Sequence, residues 1–294
     1  MQTMEDLRNQ VESTRDLSSI ARAMKALAAV RIRQSREAVE SLGTYATAVE
    51  RGFQILVRKE RRRFDFSLES TGPTVALVMG SDLGMVGGFN RSMADFVRQQ
   101  LAGQDVRLVT VGERVAAELE GDPGRIEARF PMPDRVDAMA DRVQDLLLVL
   151  EEIRVRHDPQ RVMAFHQGYL SGSEYEPRRL QLLPLDSTWL STLADKPWPT
   201  NVLPHYRVSS SQLLSSMVRE HLFLSLFRAM AESHASENAS RLAAMESAEQ
   251  KIRDELQELT GRLNQRRKQQ MTEELLDIMA GAAALEDEEE GGLG

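Results

Sequence analysis

The 294-residue chain contains no cysteine. Disulfides, thiolate nucleophiles, thiol-based redox control and zinc sites built on thiolates are all excluded, so redox chemistry does not set the compartment. Aromatic residues make up only 5% of the chain. That is too few to fill one large core along the whole length, and it favours long helices sharing a narrow seam. No apolar run approaches the roughly 20 residues of a membrane helix; the longest are TVALVM and LLLVL. The opening MQTMEDLRNQ has no apolar h-region and carries acids, unlike secretory signals and transit peptides. The net charge of −8 argues against nucleic acid as a general partner. The expectation is a soluble or peripheral protein without direct membrane insertion.

Proline is missing from both ends of the chain. The first sixty residues have none, and their only glycines are Gly43 and Gly52. Steps of four and three run through Leu7, Val11, Thr14, Ser18, Ala21, Lys25, Ala28, Ile32, Ser35, Val39, Leu42, Ala46, Val49, Phe53 and Leu56. This is the heptad spacing of a coiled-coil seam. The seam is thin, because Ala and Ser allow close approach but bury little area. A second proline-free segment runs from about 209 to 285. Its stripe of Leu242, Met245, Ile252, Leu256, Leu259 and Leu263 is interrupted by Glu249. All ten prolines fall between 70 and 207. There TVALVMGSD, VRLVTVG, RVMAFHQGYL and RRLQLLPL read as strands, while DFVRQQL, RVAAEL and RVDAMADRVQDLLLVLEEIR read as helices. Such alternation predicts a small α/β layer domain with a largely parallel sheet. The predicted division is an N-terminal coiled-coil arm (1–68), an α/β domain (69–207), a C-terminal arm (208–285) and an acidic disordered tail (286–294).

Little in the chain reads as catalytic. GSDLGMVGGFN is a glycine-rich turn after a strand, but Gly80, Gly84, Gly87 and Gly88 do not give the dinucleotide spacing, and no GK[ST] follows. A tight strand-to-helix turn, with Asp82 or Asn90 as helix cap, fits better. The histidines at 157, 166, 205, 221 and 234 lack ligand spacing and read as surface or capping residues. ESHASENAS places Ser, His and Glu on one helix, whereas a triad needs convergence from separate elements; it reads as a solvated face. Arg31, Arg33 and Arg36 form a basic stretch without interleaved aromatics, by default a solvated flank. No catalytic residue, metal ligand or cofactor site is expected.

Two stretches nevertheless carry a specific resemblance. IARAMKALAAVRIRQS resembles the N-terminal helix of the gamma subunit of F-type ATP synthases, matching its T-K-A-M-x-x-V-A-A-S-K-M-R pattern at Ala23, Met24, Ala28, Ala29, Arg31 and Arg33. The closing stretch resembles the family signature [IV]-T-x-E-x-x-[DE]-x-x-x-G-A-x-[SAKR] at Thr272, Glu274, Asp277, Gly281, Ala282 and Ala284, with Met271 departing. SDLGMVGGFN, SRLAAM and NQRR also resemble family stretches, in order. Leu83, Val30 and Lys268 depart from the pattern, marking a divergent branch for which the alternative, N-type F-type ATPases are a candidate.

The resemblance implies a central-stalk rotor of an F-type ATP synthase or ATPase. Its fold class is α/β: a long antiparallel two-helix coiled coil formed by both termini, with an inserted small Rossmann-like domain. The implied partners are the alpha and beta subunits of a hexameric ring, the epsilon subunit and the membrane c-ring. The ATP chemistry lies on the beta subunits, and the chain sits peripherally on the cytoplasmic face of a prokaryotic membrane. Implied subunit-coupling contacts are Met24, Arg31, Arg33, Arg267, Thr272 and Glu274. Gly281, Ala282, Ala283 and Ala284 would form a smooth bearing tip, since large interlocking side chains resist sliding. Two other readings compete. A coiled-coil adaptor would share the thin seam but gives no reason for the C-terminal signature. An α/β enzyme would use the glycine-rich turn.

Overall fold

The computed structural model describes residues 3–59, 71–121, 124–202 and 204–291, with the backbone alone for 281–291. Two compact units emerge, one from residues 1–25 with 245–294 and one from residues 26–244. The longest helices, α1 (Met4–Ser41) and α7 (Ser210–Gly291), contribute to both.

In the first unit α1 begins on a reciprocal cap. Thr3 Oγ1 accepts from the Asp6 amide at 3.1 Å, and Asp6 accepts from the Thr3 amide at 3.0 Å. Leu7 and Val11 pack with Leu259, flanked by Leu256 and Leu263. Further along, Lys25 meets Glu249, so the two helices run antiparallel. The thin seam is real: Thr14, Ser18 and Ala21 are buried alongside Leu7 and Val11. The two polar interruptions of the predicted stripes, Lys25 and Glu249, face each other.

The second unit holds a five-stranded sheet in the order β3-β2-β1-β4-β5. Its strands are β1 (Thr74–Met79), β2 (Val106–Val111), β3 (Arg125–Phe130), β4 (Arg161–Ser171) and β5 (Glu174–Leu183). The first four are parallel and β5 is antiparallel to β4. Helix α3 (Phe89–Leu101) and helix α4 (Glu113–Glu118) cover one face through Met93, Val97, Val115 and Leu119. The other face packs on α5 (Met139–His157) and on Leu226, Ala229 and Met230 of α7. Both faces are covered, so β1 is buried throughout and reads as an uninterrupted apolar run. A third cluster joins α2 (Gly43–Lys59), α6 (Ser187–Asp195) and α7 around Phe53, Leu190 and Leu224.

Three details differ from the sequence reading. The first arm is not one helix: α1 ends at Ser41 and α2 starts at Gly43, although the seam positions Val49, Phe53 and Leu56 are still buried. β3 and α6 were not anticipated. β3 is an edge strand whose Arg125, Glu127 and Arg129 alternate with apolar residues, the charged character that protects a sheet edge and masks a strand. The turn after β1 is capped differently, as described below. The bearing tip Gly281–Ala284 and the acidic tail 286–294 lie outside the residues whose side chains are described.

Candidate functional site

Because β1 pairs with β2 on one side and β4 on the other, the strand order reverses between β1 and β4. In open α/β sheets this is where ligands bind, beyond the carboxyl ends of the strands. Here the glycine-rich turn and one stretch of α7 meet at that place. Asn90 ties the turn to its own strand end: its Oδ1 accepts from the Ser81 amide at 2.9 Å and its Nδ2 donates to Ser81 Oγ at 2.8 Å. Asp82 serves neighbours distant in sequence, accepting at 2.9 Å from the amides of Glu113, the first residue of α4, and of Met132. Helix α3 itself has Gly88 at its N-cap and no side-chain cap. The expected cap is thus corrected: Asp82 closes α4, and Asn90 lies inside α3 and pins the turn.

Ser240 of α7 donates to the Val86 carbonyl at 2.6 Å, and the Tyr175 hydroxyl lies 3.2 Å from Ser240 Oγ. Ser236 Oγ reaches the Gln167 carbonyl at 3.0 Å. Gln167 is fully buried and donates to the Phe89 carbonyl and to Ser92 Oγ. The chain's own helix therefore occupies the crevice in which a nucleotide would be sought.

This overturns the reading of ESHASENAS as a solvated face. Ser233, His234, Ser236, Glu237, Asn238, Ser240 and Arg241 are all buried, with Ala231, Ala235 and Ala239 between them. The alanines let the backbone approach closely, and the polar side chains other than Ser233 find partners in the chain. His234 Nδ1 lies 2.8 Å from Ser35 Oγ, and Arg241 donates to Glu237 at 2.6 Å. His234 is held down at about 4, first by burial and then by the Arg31 and Arg241 guanidiniums. Burial pushes the Glu237 carboxyl up, against the pull of Arg241. His166 is buried as well, 3.1 Å from Glu232. Burial raises the Glu232 carboxyl, but hydrogen bonds from His166 and Arg228 prevail and hold it at about 2. The surface assignment of His166 and His234 is corrected accordingly. The spacing of the alanines, every fourth residue, was the one available signal of a close helix contact.

Of the six expected coupling residues, Met24, Arg267, Thr272 and Glu274 fall in the first unit and Arg31 and Arg33 in the second. Met24 is half-buried on α1. Arg31 is 3.9 Å from Asp134, and Arg33 pairs with Glu37 one turn on at 2.8 Å. Arg267, Thr272 and Glu274 are exposed on α7. Thr272 bonds back to the Lys268 carbonyl, and Glu274 accepts from Gln270. From Glu249, which is level with Lys25, Arg267 lies roughly 27 Å further along α7. In that stretch Met271, Leu275, Leu276, Ile278 and Met279 are each more than half exposed.

A family model described as ATP synthase matches residues 3–285. The ATP synthase gamma chain of Anaeromyxobacter dehalogenans is 27% identical across 97% of this chain and 100% of its own length. That of Caulobacter vibrioides is likewise 27% identical over the same shares. Among solved structures, a chain of the Euglena gracilis mitochondrial ATP synthase rotor aligns with a TM-score of 0.64 at 15% identity, covering 91% of this chain and 98% of that one.

Proposed function

Since this chain belongs to the ATP synthase gamma family, we infer that it is the central-stalk rotor subunit of an F-type ATP synthase or ATPase. The observation that carries the reading is the match over residues 3–285, which takes in both helical ends and the sheet between them. In this role the chain couples ion flow through a membrane c-ring to ATP synthesis or hydrolysis in a ring of alpha and beta subunits. It is a non-catalytic subunit, and the ATP chemistry resides on the beta subunits. The epsilon subunit and the c-ring are its partners at the membrane side. It is a peripheral component on the cytoplasmic face of a prokaryotic membrane; no helix among the described residues is long and apolar enough to cross one.

The exposed side chains of the last described stretch support this reading. A helix carrying Met271, Leu275, Ile278 and Met279 in the open is suited to a surrounding partner that covers them. Arg267, Thr272 and Glu274, on the same stretch, offer directional polar contacts that form in one angular state and break in another. Met24, Arg31 and Arg33 are the corresponding contacts on α1. The tip Gly281–Ala284 acts as a smooth bearing.

The test is an affinity pull-down of the tagged chain from its native membranes, with mass spectrometry and an ATPase assay. Recovery of alpha, beta, epsilon and c subunits with ATPase activity is the expected result. Recovery of the chain alone, or with non-ATPase partners, would put the adaptor reading in its place.

A further inference from the structure

A rotor helix must not turn or slide within the domain that drives it. Apolar side chains such as Leu226, Ala229 and Met230 hold α7 by interlocking with the core, but they make no directional bond. Buried polar contacts behave differently. Each partner left behind in the interior loses its hydrogen bond without gaining water.

Glu232, Ser236 and Ser240 lie four residues apart on one stripe of α7. Each reaches a different part of the second unit. Glu232 accepts from His166 of β4 at 3.1 Å and lies 3.5 Å from Arg178 of β5. Ser236 Oγ reaches the Gln167 carbonyl of β4 at 3.0 Å, with the Glu232 carbonyl of its own helix as alternative acceptor. Ser240 bonds the Val86 carbonyl of the glycine-rich turn and receives Tyr175 of β5. Gly168 is what allows Arg178 to lie there, since a Cβ on it would come within 2.4 Å of Arg178 Cδ. The acceptors at Gln167 and Val86 are backbone carbonyls, so they cannot move to follow a turning helix.

We propose that Glu232, Ser236 and Ser240 are positioning residues that grip α7 to the α/β domain, fixing its rotation and height so that torque passes between them without slip. The proposal rests on the rotor reading for its consequence, but the grip itself does not depend on it.

Two measurements separate the two. Hydrogen exchange of the full chain compares wild type, the triple variant Glu232→Leu/Ser236→Ala/Ser240→Ala, and Ser233→Ala. Ser233 is fully buried on the same helix, as Ser236 is, but its hydroxyl has no partner in the described structure. The triple variant should exchange amides over 232–240 about tenfold faster, and Ser233→Ala should not. In the assembled complex, ions pumped per ATP hydrolysed against an opposing gradient should fall about twofold in the triple variant while hydrolysis alone is retained. Ser240→Ala alone should move both readouts in the same direction, and it serves if the triple variant fails to fold. Equal exchange in variant and wild type, an equal effect of Ser233→Ala, or unchanged pumping per ATP would each overturn the proposal. Faster exchange in a chain that does not assemble with alpha and beta subunits would keep the grip and refute the rotor reading.

Discussion

Lys25 Nζ lies 2.8 Å from Glu249 Oε2, across the seam between α1 and α7. Glu249 is also approached by Arg22 at 3.8 Å and Arg253 at 3.7 Å. Its carboxyl is held below the usual range, chiefly by the Lys25 hydrogen bond. Around this pair the seam consists of Ser18, Ala21 and Ala28, which bury little area and leave the register weakly defined. A polar pair at a seam position specifies register, because only one alignment satisfies both partners.

Lys25→Glu should therefore lower the unfolding midpoint by about 2–4 °C, and adding Glu249→Lys should restore most of it. A double-mutant cycle with thermal unfolding checks this. Additive effects would show that the pair does not act as a unit.

Acid should weaken the chain through His234. Its folded value of about 4 lies below the ordinary value near 6.5, so the unfolded chain binds more protons between the two. Stability from this group is present above pH 6.5 and is lost as pH falls toward 4. Between pH 7 and 5 the loss should be about 2 kcal/mol, and His234→Asn should flatten that part of the profile. Glu232, held at about 2, loses its contribution only below the ordinary carboxylate range, so the two do not overlap in this window. Denaturant titrations at the two pH values read the difference.

Asp82→Ala should remove two acceptors at once and leave the Glu113 and Met132 amides without them. The expected cost is about 1–3 kcal/mol, with Asp82→Asn intermediate because it keeps one acceptor oxygen. Urea unfolding measures both.

Gly112 joins β2 to α4 at φ 115°, and a Cβ there would lie 2.8 Å from the backbone of Gly80 and Ser81. Neither the strain nor the clash can be relieved by a side-chain rotation. Gly112→Ala should cost about 2–4 kcal/mol, measured in the same unfolding assay, whereas Gly103→Ala, with open space around its Cβ, should cost only the backbone strain.

The bearing reading of the tip predicts that Gly281→Trp or Ala282→Trp slows ATPase turnover of the assembled complex several-fold without loss of assembly. Unchanged turnover and rotation would remove the smooth-bearing account.

Much of this was legible in the sequence. Heptad spacing identified buried positions from Leu7 to Leu56, including residues as small as Ser35 and Ala28, because helical periodicity depends only on the chain's own geometry. The apolar runs at 74–79 and 106–111 became the expected parallel strands for the same local reason. The C-terminal signature pointed to the family that the full-length match then supported. What the sequence by itself could not determine was the environment of polar residues. SHASENASR has the composition of a solvated face, and it is buried because Gln167, Val86, Tyr175 and Ser35 stand where water would. A polar side chain specifies that it needs partners; only the tertiary structure decides whether those partners are solvent or groups brought from elsewhere in the chain. Asp82 makes the same point. Its capping ability is local, but the amides it caps lie 31 and 50 residues away, and no spacing rule reaches that far.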